Sequence, residues 1–266
     1  MIPPEALPAS STPFDRLDSS QLAMLAKALT PKLTRWIRQS PTETQRAFLL
    51  LDCSEALYGG AAGGGKSSAL LMAALQYVDV PGYSAVLFRR TYSDLAKSGA
   101  LMSRSHELLS GTGAQWNENK HQWRFPVGSV LSFSHLETEN SKYDHQGAEY
   151  QFIGFDELTQ FSESQYRYMF SRRRRLVGHA VPLRMRASSN PGGAGHEWVF
   201  RRFFIEPESG DEKARRRVFI PAKLADNPHL DAEEYRASLA ELDPVTRRQL
   251  EHGDWRVRQA GEMFKR

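Results

Sequence analysis

Gly60-Ala61-Ala62-Gly63-Gly64-Gly65-Lys66-Ser67 follows the spacing Gly-x4-Gly-Lys-Ser/Thr, a residue set suited to gripping a polyphosphate. Its glycines let successive backbone N–H groups converge on phosphate oxygens, and a helix starting at the loop adds the positive end of its dipole. Lys66 is placed to reach the phosphate oxygens, and the Ser67 hydroxyl to ligate Mg²⁺. Such a loop needs a partner that holds the metal and activates water. Phe152-Ile153-Gly154-Phe155-Asp156-Glu157 supplies one, an apolar run ending in two carboxylates. Asp156 would fall beside Ser67 and bind the metal through water, while Glu157 would orient and deprotonate the attacking water. An acidic pair at a strand end is common by itself; downstream of a sound phosphate loop it points to hydrolysis as well as binding. The chain is therefore expected to bind and hydrolyse a nucleoside triphosphate with Mg²⁺. A third group, Ala187-Ser188-Ser189-Asn190-Pro191-Gly192-Gly193, follows the next apolar run. There Ser189 and Asn190 are able to hydrogen-bond a γ-phosphate or its water and so sense its presence. The same composition also suits a plain Pro-Gly turn.

The elements that must position these groups read as alternating strands and helices. Ala56-Leu57-Tyr58 predicts a short buried strand before the loop, and the stretch from Ser67 to Val78, rich in Ala, Leu and Met, a helix after it. Ser84 to Phe88, Gln151 to Phe155, Val181 to Ser188 and Arg217 to Pro221 read as further strands. Continuous apolar runs of this kind belong to a parallel sheet buried on both faces. Gln122–Phe125 and Ser129–Ser134, with Gly128 between them, predict a hairpin on one edge. Helices are expected over Ser20–Arg38 (broken by Pro31), Thr42–Leu51, Tyr92–Ser110, Ser162–Leu176, Gly195–Phe204, Asp231–Leu242 and Pro244–His252. The pattern is that of an α/β fold whose ligands sit at the carboxyl ends of the strands. It divides into a leader and helix over 1–40, a core over 41–222, and a helical appendage over 223–266.

The 266 residues suffice for one large core, and 40% hydrophobic with 25% charged residues is ordinary for a globular protein. No apolar run approaches the roughly 20 residues of a membrane helix, and Met1 to Thr12 lacks the pattern of a signal peptide. Cys53 is the only cysteine, which excludes an internal disulfide and suits a reducing cytoplasm. The net charge of +4 hides an asymmetry: Gln165 to Ile220 holds 13 Arg and Lys against 5 Asp and Glu. A polyanion such as nucleic acid would explain that concentration, and so would a solvated basic face.

Several groups, taken in order, resemble one family. Gln45, Gly59 to Ser68, Leu87-Phe88-Arg89-Arg90-Thr91-Tyr92, Asp156-Glu157, Ser189-Asn190-Pro191-Gly192-Gly193, Asp226-Asn227-Pro228 and Gly253-Asp254-Trp255 look like the ATPase domain of a large terminase subunit. Such domains are the motors that package DNA into tailed-phage or prophage capsids. The similarity runs from about Pro41 to Phe264. It implies an ASCE-type P-loop NTPase with a mostly parallel central sheet flanked by helices. ATP is then the nucleotide, and its hydrolysis drives double-stranded DNA into a procapsid. The implied partners are the portal protein and the small terminase subunit, with a homo-oligomeric ring on the portal in the host cytoplasm; whether the chain alone is monomeric stays open. By position, Gln45 matches the glutamine that reads adenine. Gly60, Ala61, Ala62, Gly63, Gly64, Gly65, Lys66, Ser67 and Ser68 match the phosphate loop, Asp156 the Walker B aspartate, and Glu157 the catalytic glutamate. Ser189 and Asn190 match the motif that couples hydrolysis to movement.

The chain departs from the pattern twice. Large terminases continue into a ribonuclease-H-like nuclease domain; this chain ends at Met263-Phe264-Lys265-Arg266 without a later acidic triad, so no nuclease activity is expected of it. Some members also place an arginine finger in an Arg-Gly pair shortly before the Walker B strand, where this chain has Gln146-Gly147. The remaining candidates are Arg89, Arg90 and the run from Arg172 to Arg175, whose forked cations would stabilise charge on the γ-phosphate. For the run Arg172–Arg175, a basic helix end, contact with DNA phosphates and contact with a neighbouring subunit's nucleotide are all open. Two other functions fit the motifs less fully: a helicase-type ATPase fragment, and an assembly module that binds nucleotide without rapid hydrolysis.

Overall fold

Ala56-Leu57-Tyr58 and Val86-Leu87-Phe88 carry no polar alternation, so each strand must be covered on both faces. In the computed structural model, which describes residues 32–175, 177, 181–204 and 217–257, they form the buried cores of β1 (Glu55–Gly60) and β2 (Ser84–Arg89). The other strands are β3 (Gln115–Asn117), β4 (Gln122–Arg124), β5 (Val130–His135), β6 (Phe152–Asp156), β7 (Arg184–Ser189) and β8 (Arg217–Ala222). Together they make one eight-stranded sheet in the order β3-β4-β5-β2-β6-β7-β1-β8. From β5 to β8 every pairing is parallel, and β3 and β4 extend the β5 edge antiparallel. The edge hairpin thus gains a third strand, β3, which the sequence pattern missed.

Helices cover both faces. On one, α1 (Glu43–Leu50), α2 (Lys66–Leu75) and α4 (Leu101–Leu109) pack with Trp36, Phe48, Tyr83 and Trp123. Helix α2 is apolar almost all round because it lies between the sheet and the outer helices. On the other face, α5 (Glu163–Phe170) and α6 (His196–Phe204) set Tyr166, Met169, Trp198 and Val199 against Phe155 and Phe161. Helices α7 (Ala232–Leu239) and α8 (Pro244–His252) follow β8, capped by Asp231 and Asp243. No helix among the described residues is long and apolar enough to cross a membrane.

The helix expected over Tyr92–Ser110 is two, α3 (Tyr92–Ala96) and α4, because Gly99 turns the chain at a φ of +71° between them. The helix expected to reach Leu176 stops at Phe170. Its continuation is recruited by the sheet: Tyr150 N–H donates to the Arg172 carbonyl and Arg174 N–H to that of Tyr150. The leader, and the expected helix as far as Pro31, lie outside the described residues. Lys32 to Ser40 forms a turn that buries Trp36 and Ile37 rather than a helix.

Candidate active site

Strand register assembles the site. Phe88 pairs with Phe155, Asp156 with Ser188, and Tyr58 with Ser188, so the carboxyl ends of β2, β6, β7 and β1 stand in one row. That row sets Arg89, Asp156, Ser188 and the start of the glycine loop side by side. Strand β7 separates the loop strand β1 from the acidic strand β6. Even so, Ser67 Oγ donates to Asp156 Oδ1 at 2.9 Å, because α2 begins directly over the row.

The loop is held by its carbonyls. Those of Ala61, Gly63, Gly64 and Gly65 accept from Lys66 Nζ (2.5 Å), Asn227 Nδ2 (2.7 Å), Tyr58 Oη (3.2 Å) and Gln45 Nε2 (3.0 Å). The N–H groups of Gly63, Gly64 and Gly65 donate to no protein acceptor among the described residues, which leaves them for an anion. Two glycines are needed for steric reasons. Gly60, at φ +138°, would set a Cβ 2.4 Å from the Ala222 carbonyl, and Gly65, at φ +74°, one 2.7 Å from Gln45 Nε2. The C-terminal helices brace the loop from outside: Ala62 N–H donates to the Leu250 carbonyl at 2.7 Å, and Trp255 is buried beside Gly59. The described part of the expected appendage therefore packs onto the phosphate loop itself.

A cleft of about 700 Å³ opens in front of the loop, lined by Gln45, Lys66, Ser67, Ser68, Arg104, Glu157, Asn190 and Asn227 among others. That volume suits a nucleoside triphosphate. Burial lowers the Lys66 pKa, an effect that the charges of Glu157 and Asp156 oppose. Burial raises the Glu157 pKa, and the Asp156 charge raises it further, against Lys66 and Arg89. Glu157 adopts left-handed backbone angles, φ 58° and ψ 58°, immediately after β6. For a residue with a Cβ this costs about 1 to 3 kcal/mol and marks a position held for a purpose. Its carboxylate lies 3.9 Å from Arg89 Nη1 and 3.5 Å from the Asn190 N–H. Arg89 Nε stands 3.5 Å from Asp156 Oδ2. Arg89 therefore braces the two acids and does not line the cleft.

The Ser67 hydroxyl and the Asp156 carboxylate fit Mg²⁺, a hard cation that takes most of its ligands from water and substrate phosphates. Among the described residues, no group of three or more His, Cys, Asp and Glu could hold a metal ion unaided.

Other expected site residues fall elsewhere. Ser189 is fully buried and faces Thr159, with its Oγ 3.0 Å from Thr159 Oγ1. The β7 residue that meets the site is Ser188, whose Oγ donates to Asp156 Oδ1 at 2.5 Å. Strand alternation explains the exchange, since neighbouring residues point to opposite faces. Asn190 does line the cleft, with its Oδ1 buried and unpartnered. Arg90 donates to the Leu136 carbonyl and to Gln165 Oε1, which ties β2 to α5. Arg172 and Arg175 lie at the amino end of β6, by the Tyr150–Arg173 bridge. Asp156 is six residues along the strand from Tyr150, roughly 20 Å at about 3.3 Å per residue. Neither arginine reaches this chain's own cleft.

The basic segment is largely spent on internal contacts among the described residues. Arg184 and Arg186 are buried, Arg202 pairs with Glu55, Arg167 and Arg201 with Glu163, and Arg174 with Glu149. Its charge therefore does not amount to a free basic face there. The residue that sequence reasoning missed is Arg104 on α4, whose Nη1 donates to Ser68 Oγ at 3.0 Å inside the cleft. No motif marks it, because it arrives by helix packing.

The family described as "Terminase large subunit, T4likevirus-type, N-terminal" matches residues 57–266. No curated protein matches the chain by sequence. Among solved structures, the large terminase of a thermophilic bacteriophage in complex with ATP-gamma-S superposes with a TM-score of 0.62 at 15% identity, covering 81% of this chain and 53% of that one. The HK97 bacteriophage large terminase gives 0.58 at 13% identity, covering 86% and 54%. The Thermus phage P74-26 large terminase ATPase domain gives 0.54 at 14% identity, covering 82% and 94%. This chain thus spans about half the length of the first two relatives, and the likeness establishes a shared fold.

Proposed function

The chain belongs to the terminase large-subunit family, T4likevirus-type, N-terminal, and from that premise we propose that it is an ATP-hydrolysing motor driving double-stranded DNA into a procapsid. The observation that carries the hydrolytic part is the meeting of Lys66, Ser67, Asp156 and Glu157 at one cleft, with Ser67 Oγ 2.9 Å from Asp156 Oδ1. Mg²⁺ brought by the nucleotide would neutralise charge on its β- and γ-phosphates, with Ser67 and Asp156 as protein ligands. Lys66 exchanges the Ala61 carbonyl for phosphate oxygens. Glu157 accepts the proton of the attacking water, and Arg89 and Asn190 fix its carboxylate. The outward role proposed with it is a ring of copies on a portal protein, with a small terminase subunit, in the host cytoplasm, and membership of the terminase family supports that reading. An arginine supplied by a neighbouring copy fits a chain in which neither Arg172 nor Arg175 reaches its own cleft.

The test is Mg²⁺-dependent phosphate release, measured against protein concentration with and without double-stranded DNA. We expect specific activity to rise with concentration, as neighbours complete one another's sites. Absence of phosphate release under every condition would refute the motor reading.

The raised Glu157 pKa gives a second prediction. Below that pKa the carboxyl is protonated and cannot accept a proton, so kcat/KM climbs with pH through a midpoint above the ordinary Glu value of about 4.3. A pH profile with its acid midpoint at or below that value would contradict Glu157 as the base.

A further inference from the structure

We propose that Arg104 is a nucleotide-binding residue that grips the α-phosphate from within the same chain. This rests on the nucleotide reading of the cleft and adds a ligand that no phosphate-loop motif contains. Lys66 and Arg104 are the Lys and Arg side chains of the cleft lining, against the single carboxylate of Glu157. Lys66 stands near that acid. Among the described residues Arg104 has no ion pair; its Nε donates to the Gly99 carbonyl at 2.6 Å and its Nη1 to Ser68 Oγ at 3.0 Å. The remaining guanidinium nitrogen, Nη2, stays available. A half-buried guanidinium without an acid is an incomplete site, and phosphate is the partner its planar fork fits.

Position along the phosphate chain follows from the loop. Lys66 and the metal-binding Ser67 serve the β- and γ-phosphates, and Glu157 stands at the γ end. Ser68 is the next residue of α2, turned about 100° further round the helix. Its N–H is among the unpaired donors of the first turn. Arg104 bonds Ser68, so it addresses the phosphate beyond those two, the α-phosphate. The Gly99 break between α3 and α4 starts α4 where Arg104 can reach across to α2.

ADP and ATP share the α-phosphate, so removing its ligand weakens both equally. Titration of a fluorescent ADP and a non-hydrolysable ATP analogue should give Kd values raised about tenfold or more in Arg104→Ala, by the same factor for each. Arg104→Lys keeps the charge without the fork and should fall between the wild type and Arg104→Ala; it also serves if the alanine variant does not fold. Unchanged affinities in both variants would overturn the inference. So would a loss confined to ATP, which would place Arg104 at the γ-phosphate. The wild type measured in parallel separates the two readings. If it binds neither nucleotide, the nucleotide reading itself fails; if it binds both and the variants match it, only the Arg104 inference does.

Discussion

Glu157→Gln is expected to lower ATP turnover by about 10² to 10⁴-fold, the usual contribution of a positioned general base, while ATP still binds. The amide keeps the shape and hydrogen-bonding capacity of the side chain but cannot accept the proton of water. Binding rests on other groups: the loop N–H groups, Lys66 and Ser67. The left-handed backbone at Glu157 adds a structural reason for the size of the effect, since it aims the carboxylate between Arg89 and the Asn190 N–H. Rapid-quench turnover and nucleotide titration on the same preparation check both halves. Turnover within a factor of about three of wild type would remove Glu157 from the reaction.

The second large effect is on stability. Glu55, the first residue of β1, is buried, and it accepts from Arg202 Nε at 2.5 Å, Arg202 Nη2 at 3.0 Å and Tyr166 Oη at 3.1 Å. Arg217 Nε stands 3.9 Å away. One carboxylate therefore ties β1 to α5, α6 and β8 at the end of the sheet opposite the cleft. Glu55→Ala would strand the Arg202 charge and the Tyr166 hydroxyl in the core, at a cost of about 3 to 5 kcal/mol. That is a large share of the roughly 5 to 15 kcal/mol by which domains are stable. Chemical denaturation of Glu55→Ala measures the loss directly, and a loss below about 1 kcal/mol would show that the pair is not a stability element. In Glu55→Leu combined with Arg202→Met, where both charges leave together, much of the loss should be recovered.

Legibility in the sequence followed the range of each interaction. The glycine loop could be read because its chemistry needs neighbours in the chain, and a run such as Val86-Leu87-Phe88 because burial on both faces leaves an uninterrupted apolar stretch. The α/β class and the order of strands and helices follow from such local patterns. Wrong or missing readings came where a partner distant in sequence intervened. Tyr150 captured the backbone of Arg172 and Arg174 and ended α5 early. The basic segment looked free because its pairing with Glu55, Glu149 and Glu163, which lie outside it, cannot be seen in a charge count.

The sequence by itself determined the phosphate loop, the two acids that follow an apolar strand, and the family to which the chain belongs, since each is encoded in adjacent residues. Only the tertiary structure decided that Ser188 and not Ser189 meets Asp156, that Arg89 braces the acids, and that Arg104 enters the cleft. The reason is physical. Strand register and helix packing set those distances, and both depend on how apolar faces far apart in the chain bury one another.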